Sequence, residues 1–508
     1  VDLALERAYV YREHAESTVV EIPADMKPAE KNERFAMLEK LADHDDELLE
    51  QLLADMEPPR DRVFADLSRE LAEGLVTPVF FGSAEHGNGI GRLLKALRHE
   101  APTVEATVKR LGLKSGAGAT AQVLKTFHTA SGGKLSIARV LSGELPDGAV
   151  LYGANGQEAR AAGVFSMLGT TPTKVSKATL GDTVALGRLE KINTGETIST
   201  VKGTTKQLAA QKPAPGVYGV AVSVTDRKDE VKLTSSIAKL IEEDPSLSLE
   251  HNANTHEMVL WGQGEVHLRV ALERLQGKFG VHAKAQPRRI GYLETIKKSV
   301  QLRGRHKKQS GGHGQYGDVT VEIKPLPRGS GFVFTDTITG GVVPKQYIPA
   351  VEAGVREWMV QGPLGFAVVD FNVNLSEGSY HDVDSSEMAF KLAARLAMTE
   401  GMPQCAPVLL EPIVAVQIHV PSDATSRVNQ IVTGHRGQLL GFDGREGWPG
   451  WDTVKAHLPE SEIGSLIIEL RSATSGVGTF VFSHDHMAEL VGRSAEQVVA
   501  ARKEQLAR

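Results

Sequence analysis

A glycine-rich stretch behind a basic segment is the first place where residue types and spacing indicate chemistry. QSGGHGQYGDV, residues 309–319, places four glycines around one histidine, one glutamine and one tyrosine. It follows residues 288–308, which carry eight lysines and arginines but one carboxylate, Glu294. Such a stretch could cradle phosphate, form a loose hairpin or carry a rigid tip to a nucleic acid.

A second candidate recognition loop is SEGSYHDVD, residues 376–384, which precedes a predicted helix. The sequence DSSE at 384–387 matches a capping box, in which Asp384 accepts a hydrogen bond from a helical amide and Glu387 reaches back. A well-capped helix holds the loop before it in place. A recognition tip on a rigid support needs that arrangement.

Other chemistries lack the residues that they need. No stretch matches G-x-x-x-x-G-K-[ST], the loop that holds nucleotide phosphates and Mg²⁺, and SGGKLS at 131–136 has the wrong spacing. The histidines of HDH at 484–486 and HR at 435–436 lack further ligands at zinc-finger or zincin spacing. Cys405 has no partner for nucleophilic catalysis. We therefore predict no catalytic residue and no metal site.

Length and composition indicate an ordinary multidomain protein. The chain has 508 residues, of which 41% are hydrophobic and 24% are charged, so about three to five domains are expected. The single cysteine excludes a disulfide framework and indicates a reducing compartment, and no apolar run approaches the roughly 20 residues that span a bilayer. We expect a cytoplasmic protein with no membrane partner. The first 100 residues carry 22 Asp and Glu against 12 Lys and Arg, which makes them an unfavourable RNA surface.

The N-terminal part of the sequence predicts helices followed by a small β domain. The apolar spacing predicts an amphipathic helix over Glu33–Met56 and another near Arg62–Glu73. LVTPVFF, residues 75–81, predicts a buried strand, which a loop at Gly82–Ala84 joins to a further helix. Short β-rich runs between Ala121 and Leu189, separated by turn sequences, predict a small β-barrel.

Two later stretches share one plan. Residues 216–285 and 412–483 each predict β-α-β-β-α-β, the split βαβ arrangement with two helices on one face of an antiparallel sheet. Between them, the patterns predict helices over Pro344–Val360 and Asp384–Met398 and an extended segment over Ala367–Leu375.

Five long motifs together resemble bacterial elongation factor G, the translocase of the ribosome, and they occur in the order that this family has. The motifs are EEDPSLSLE, GQGEVHLRVALERL, QSGGHGQYGDV, GGVVPKQYIPAVEAGV and GPLGFAVVDFNVNLSEGSYHDVDSSEMAFKLAA. The resemblance covers essentially the whole chain and implies a multidomain α+β fold. The domains that it implies are the C-terminal part of an α/β G domain with its inserted subdomain (1–103), a β-barrel domain II (104–212), a ferredoxin-like domain III (213–286), an α+β domain IV (287–411) and a ferredoxin-like domain V (412–508).

The resemblance also implies functional residues. Gly82, Ser83 and Ala84 correspond to a motif whose backbone approaches the guanine base. In the family, two loops of domain IV form a tip that reaches the decoding region, and Gln315 and His381 suit base edges, sugars and phosphates. The residues implied to contact nucleic acid are Gly312, His313, Gly314, Gln315, Tyr316, Ser379, Tyr380, His381, Asp382, Arg305, Lys307 and Lys308.

The cofactors and partners implied are those of a translational GTPase. They are GTP or GDP with Mg²⁺ in the complete protein, and ribosomal RNA, stalk proteins, and tRNA and mRNA in the A site. We expect the phosphate-binding motifs upstream of Val1, so this chain alone should neither hold GTP tightly nor hydrolyse it. A monomer is expected.

Departures from the family pattern leave alternatives open. His313 stands where the family commonly has arginine, and Val477 stands where it usually has arginine or another polar residue. The stretch FDGREGWPGWDTVKAHL differs from the usual sequence of domain V in the family. These changes indicate an elongation factor G-like paralogue. The chain could therefore serve translocation, ribosome recycling or ribosomal protection, or be a ribosome-binding protein without GTPase activity.

Overall fold

A computed structural model describes residues 1–113, 118–129, 133–203, 206–224, 226–309 and 314–507. Its internal contacts divide the chain into two units, Val1–Ala210 and Gln211–Arg508. Across the described ranges, no helix has both the length and the apolar character needed to cross a membrane.

The first unit begins with a hairpin and a group of helices. Its strands are β1 (Ala8–Arg12) and β2 (Ala15–Val20), and its helices are α1 (Lys27–Ala42), α2 (Asp46–Leu53), α3 (Arg60–Glu73), α4 (Ile90–Glu100) and α5 (Val104–Arg110). Leu41, Leu48 and Val63 are buried where α1, α2 and α3 pack together. The single helix predicted over Glu33–Met56 is wrong. The chain turns between α1 and α2, where the side chain of Asp45 accepts a hydrogen bond from the amide of Leu48 and caps α2.

The buried strand predicted over residues 75–81 is also wrong. This segment has no strand pairing among the described residues, and Val79 and Phe81 are 72% and 85% exposed. An apolar, β-branched run forms a strand only where a neighbouring strand supplies hydrogen bonds. Composition alone could not show whether that neighbour is present.

The rest of the first unit is a β domain. Its strands are β3 (Thr120–His128), β4 (Lys134–Ser142), β5 (Leu145–Pro146), β6 (Val150–Gly153), β7 (Glu158–Arg160), β8 (Val164–Leu168), β9 (Thr171–Val175), β10 (Lys177–Ala178), β11 (Thr183–Gly187) and β12 (Thr197–Ser199). Eight of them form one antiparallel sheet in the order β7-β6-β12-β3-β4-β11-β8-β9, and β5 pairs with β10. Leu151 on β6 and Val164 on β8 lie far apart in that order yet belong to one core. The sheet therefore curls around its core, as the predicted barrel requires.

The second unit begins with the first split βαβ sheet. Its elements are β13 (Tyr218–Val224), α6 (Glu230–Glu243), β14 (Ser248–Asn252), β15 (Glu257–Gly262), α7 (Glu265–Phe279) and β16 (Ala283–Pro287). The strands are antiparallel in the order β14-β15-β13-β16. Leu233, Ile237 and Leu268 bury the inner faces of the two helices against the sheet. This confirms the predicted β-α-β-β-α-β arrangement.

An α+β region follows. Its elements are β17 (Leu293–Ile296), β18 (Val300–Lys308), β19 (Gln315–Pro325), β20 (Phe332–Asp336), α8 (Ile348–Trp358), β21 (Ala367–Val368), β22 (Phe371–Ser379) and α9 (Glu387–Gly401). The main sheet has the order β18-β19-β22-β20. α9 lies very close to it, because a Cβ on Gly304 would be 2.2 Å from the carbonyl oxygen of Ala393. Glycine at this position lets the helix and the strand touch through their backbones.

The second split βαβ sheet completes the chain. Its elements are β23 (Pro407–Pro421), α10 (Thr425–Gly434), β24 (Gln438–Gly444), β25 (Trp451–Pro459), α11 (Ile463–Ala473) and β26 (Thr479–Leu490), followed by α12 (Gly492–Ala507). β23 lies between β25 and β26, and β24 pairs with β25. On β23, every second residue from Val414 to Val420 is buried under the helices, as a half-covered strand requires. The predicted multidomain α+β class is confirmed.

Candidate nucleic-acid interface

The candidate site is at one end of the α+β region, where two chain segments meet. One is the end of the β18–β19 hairpin, and the other is the loop between β22 and α9. The amide of Tyr316 donates to the carbonyl oxygen of Asp384 at 2.8 Å, and the hydroxyl of Ser385 donates to the carbonyl oxygen of Tyr316 at 2.9 Å. We call the described residues 305–308, 314–316 and 379–384 the tip. One backbone–backbone bond and one side chain–backbone bond thus hold its two halves together.

His381 is exposed at the tip but its backbone is fixed. Its amide donates to the hydroxyl of Ser385 at 2.9 Å, and its carbonyl accepts from the amide of Ser385 at 3.1 Å. Its Nδ1 accepts from the amides of Asp384 at 3.2 Å and Val383 at 3.3 Å. An Nδ1 that accepts places the proton of the neutral ring on Nε2. With 56% of the side chain exposed, Nε2–H can donate to an external phosphate or base edge.

The helix that supports this loop is capped by a different residue from the one predicted. The N-cap of α9 is Ser386, whose side chain accepts from the amide of Ala389 at 3.2 Å. Asp384 instead accepts from the amide of Gly314 at 3.1 Å, which joins the loop to the hairpin. The predicted capping box was wrong because both Asp384 and Ser386 suit an N-cap, and the sequence does not show where the helix begins.

The described glycines at the end of the β18–β19 hairpin lie close to other groups of the protein itself. A Cβ on Gly314 would be 2.8 Å from the carboxyl carbon of Asp384, and one on Gly317 would be 2.4 Å from the carbonyl oxygen of Ala389. Close packing within the protein therefore requires glycine at both positions. Gly312 and His313 lie outside the described residues.

The hairpin presents polar and cationic groups. Gln315 is exposed, and its Oε1 lies 2.9 Å from Nε2 of His306, while the guanidinium of Arg305 lies 5.5 Å from the ring centre of Tyr316. Lys307 and Lys308 are exposed, and neither has an ion-pair partner among the residues that the structure describes. Their charges are available to phosphates, which attract cations without regard to sequence.

The remaining predicted residues lie in the loop after β22. Tyr380 is 46% exposed and Asp382 is exposed. Ser379 is half-buried, and its hydroxyl lies 2.7 Å from the hydroxyl of Tyr316. The structure thus brings together ten of the twelve residues implied to contact nucleic acid. Their contact with nucleic acid stays a prediction.

A buried carboxylate supports the tip from below, and the sequence did not reveal it. Asp318 is fully buried and accepts from Nε of Arg303 at 2.8 Å, from the hydroxyl of Ser379 at 2.8 Å and from that of Tyr316 at 3.3 Å. Burial acts to raise the pKa of Asp318, but these partners outweigh it and hold the pKa below its usual value. The carboxylate is therefore ionised and fixes Tyr316 between the two halves of the tip.

A third loop, residues 340–345, adjoins the tip. Val343 is buried, and a Cβ on Gly378 would be 2.4 Å from one of its methyl groups. The hydroxyl of Tyr347 donates to the carbonyl oxygen of Ser385 at 3.3 Å, and exposed Lys345 lies in the same stretch. The motif GGVVPKQY contains this loop. This motif belongs to the resemblance, but none of its residues was predicted to contact nucleic acid.

The Gly82–Ala84 turn lies in the first unit. The amide of Ser83 donates to the carbonyl oxygen of Asn88 at 2.9 Å, whereas the amide of Ala84 has no acceptor within the described part of the chain. One backbone donor suits the edge of a purine. The sequence contains no phosphate-binding loop, so the residues present do not fit GTP with Mg²⁺ as a whole.

Three family models match the second unit. They are described as Elongation Factor G, domain III, over residues 213–287, Elongation factor G, domain IV, over 288–406, and Elongation factor G C-terminus, over 408–498. An "Elongation factor G-like protein" of Synechocystis sp. is 51% identical over 497 residues, which are 97% of this chain and 73% of that relative. A crystal structure of a Thermus thermophilus protein is 32% identical, with a TM-score of 0.73, and the match covers 99% of this chain and 74% of that one.

Proposed function

Since the chain belongs to the elongation factor G-like family of translation factors, we propose that it acts on the ribosome and promotes the translocation of tRNA and mRNA. In this proposal the tip enters the A site and contacts RNA. Ribosomal RNA, tRNA and mRNA are the partners that its chemistry suits, because it combines free cations with exposed hydrogen-bonding side chains.

The observation that carries the proposal is the pairing of exposed functional groups with a fixed backbone. His381 and Gln315 are both exposed, and the ring of His381 lies 6.3 Å from that of Tyr316, while Asp384 and Ser385 tie the two segments together. A tip that is already ordered loses little conformational entropy when it binds RNA. This property suits a tip that must occupy one position in the A site reproducibly.

In the proposed mechanism the tip acts as a rigid prop. Once it lies in the A site, it prevents the tRNA and mRNA from moving back, and so biases their movement in one direction. Lys307 and Lys308 add attraction to phosphates, and His381 donates from Nε2 to an acceptor on RNA. GTP or GDP with Mg²⁺, which the family implies for the complete protein, enters no step here because the described residues do not fit the whole nucleotide.

The replacement His381→Ala in the complete gene product tests this proposal. Loss of one hydrogen bond to RNA should slow translocation about tenfold, equivalent to roughly 1.4 kcal/mol. Ribosome-stimulated GTP hydrolysis should stay within about twofold of the parent, since the tip takes no part in it. Both rates are measured on the same preparation by rapid mixing.

His251→Ala is the matched control, because His251 is exposed on β14 of the first split βαβ sheet. It should change neither rate. Equal loss of translocation and hydrolysis in His381→Ala would contradict a role for the tip in translocation. A defect confined to ribosome splitting with a recycling factor would favour the recycling function instead.

A further inference from the structure

We propose that His457, Asp485 and His486 form a binding site for a divalent transition-metal ion of the zinc class. Their candidate ligand atoms, one from each side chain, all lie within 4.8 Å of one another. The site is on the second split βαβ sheet and is independent of the translocation proposal. The HDH run at 484–486 has no third ligand near it in the sequence, because His457 lies 27 residues before the run.

Strand register brings the third ligand to the other two. His457 on β25 pairs with Ala415, and His486 on β26 pairs with Ile413, so both histidines flank the same strand, β23. Directly paired residues share a face of a sheet, and along β23 residues 413 and 415 lie on the face opposite the buried Val414. Both histidines therefore project from the face that α10 and α11 leave uncovered.

Two local features let side chains from non-adjacent strands meet. Strands two apart in a sheet are separated by about 9.6 Å, and the small side chain of Ala415 leaves the space above β23 open. The imidazole rings of His457 and His486 accordingly approach to 5.7 Å between centres. A bulge opposite Ile413 and Val414 inserts Asp485 as an extra residue, which turns its carboxylate toward the histidines.

The distances suit a metal after small side-chain rotations. Oδ2 of Asp485 lies 3.8 Å from Nε2 of His457 and 2.6 Å from Nδ1 of His486. Ligands at about 2.0–2.1 Å from zinc in a tetrahedral site are about 3.4 Å apart, so both separations need to change by less than 1 Å. Two histidines and one carboxylate form a recognised ligand set for such ions, and the remaining position stays open to water.

The charge and exposure of the three groups also suit an ion. The carboxylate of Asp485 offers an oxygen ligand beside the ring nitrogens of the two histidines. The side chains of His457, Asp485 and His486 are 25%, 39% and 50% exposed, so an ion can enter from solvent.

Titration calorimetry of the full chain with ZnCl₂ at pH 7.5 tests the proposal. We expect one saturable site in the parent chain, since the three ligands are already placed together in the folded protein. His457→Ala and Asp485→Asn should each weaken Zn²⁺ binding at least about tenfold. Replacing even a residue that only supports a metal ligand lowers the affinity by that much. Co²⁺ provides a second readout: its visible absorption bands should appear with the parent and disappear with Asp485→Asn.

His484→Ala is the matched control, because His484 is an exposed histidine that pairs with Val414, whereas His457 and His486 pair with Ala415 and Ile413. It should bind Zn²⁺ as the parent does. His486→Ala provides a ligand variant at a half-exposed position, should His457→Ala fail to fold. No saturable binding by the parent, or equal loss in His484→Ala and the ligand variants, would overturn the proposal.

Discussion

Asp318 and Glu294 are both fully buried in the second unit, yet their pKa values shift in opposite directions. Asp318, below the tip, has the guanidinium of Arg303 and two hydroxyls as partners, and its pKa is lowered. Glu294 on β17 accepts from the amides of Leu364 and Phe366, at 3.0 Å and 2.9 Å. Burial outweighs those amides and raises the pKa of Glu294 to about 7.

The difference shows that lack of solvent exposure alone does not decide the charge of a carboxylate here, because the partners of the two groups differ. A cation and hydroxyls keep Asp318 ionised at physiological pH, so the support of the tip keeps a constant charge. Amide donors alone leave Glu294 close to half-protonated near pH 7. The loop that Glu294 holds also accepts a hydrogen bond from Arg502 of α12 at the carbonyl oxygen of Gly365. This loop, and not the carboxylate that supports the tip, should change its charge near pH 7.

The largest expected effect concerns Glu294. Its pKa is 4.5 in the unfolded chain and about 7 in the folded one, so the unfolded chain releases the proton first. The stability that this group contributes is fully present below about pH 4.5 and falls as the pH rises to about 7, by about 3 kcal/mol in total. Glu294→Gln has no proton to lose and should remove this dependence.

Hydrogen exchange of the peptide that contains residues 362–368, measured between pH 5 and 8, checks this prediction. The opening free energy should decrease with pH in the parent and remain flat in Glu294→Gln. Glu377→Gln, a replacement of an exposed carboxylate on β22, should behave as the parent does. Parallel curves for the parent and Glu294→Gln would show that Glu294 is ionised throughout.

A smaller effect of opposite sign is expected for Asp318. Its folded pKa lies below the unfolded value of 3.8, so its contribution is present above that value and is lost as the pH falls through the folded pKa. Asp318→Asn should lower the local stability by about 2 kcal/mol at pH 7, the usual cost of losing hydrogen bonds to a charged group. The exposed guanidinium of Arg303 can be hydrated once its partner is gone, which limits the cost.

Hydrogen exchange of the peptide that contains β22, measured at pH 7, gives the loss of local stability in Asp318→Asn. Asp382→Asn is the control, because Asp382 is an exposed carboxylate of the tip itself, and it should change stability by less than about 0.5 kcal/mol. An equal effect of the two replacements would mean that Asp318 does not support the tip.

The sequence predicted the topology better than it predicted the contacts. Alternating apolar residues on β23 and helical spacing on α6 and α7 were enough for both split βαβ sheets, because each pattern is local. Asp318 could not be found, because its charge depends on Arg303 and Ser379, which the fold brings to it from two other strands. Register across β23 was likewise needed to place His457 beside Asp485.

A tethered cleavage probe tests the central claim, that the tip contacts ribosomal RNA, most directly. Cys405 is fully buried, and burial raises the pKa of its thiol to about 11, so a cysteine introduced at an exposed position reacts selectively. Val383→Cys places an iron chelate on the tip at a side chain that is 66% exposed. Val231→Cys, 81% exposed on α6, is the control.

With the complete gene product bound to ribosomes, the probe at position 383 should cleave small-subunit RNA around the decoding region. The probe at position 231 should give a different pattern that omits this region. Absence of cleavage from position 383, or the same pattern from both positions, would contradict the account.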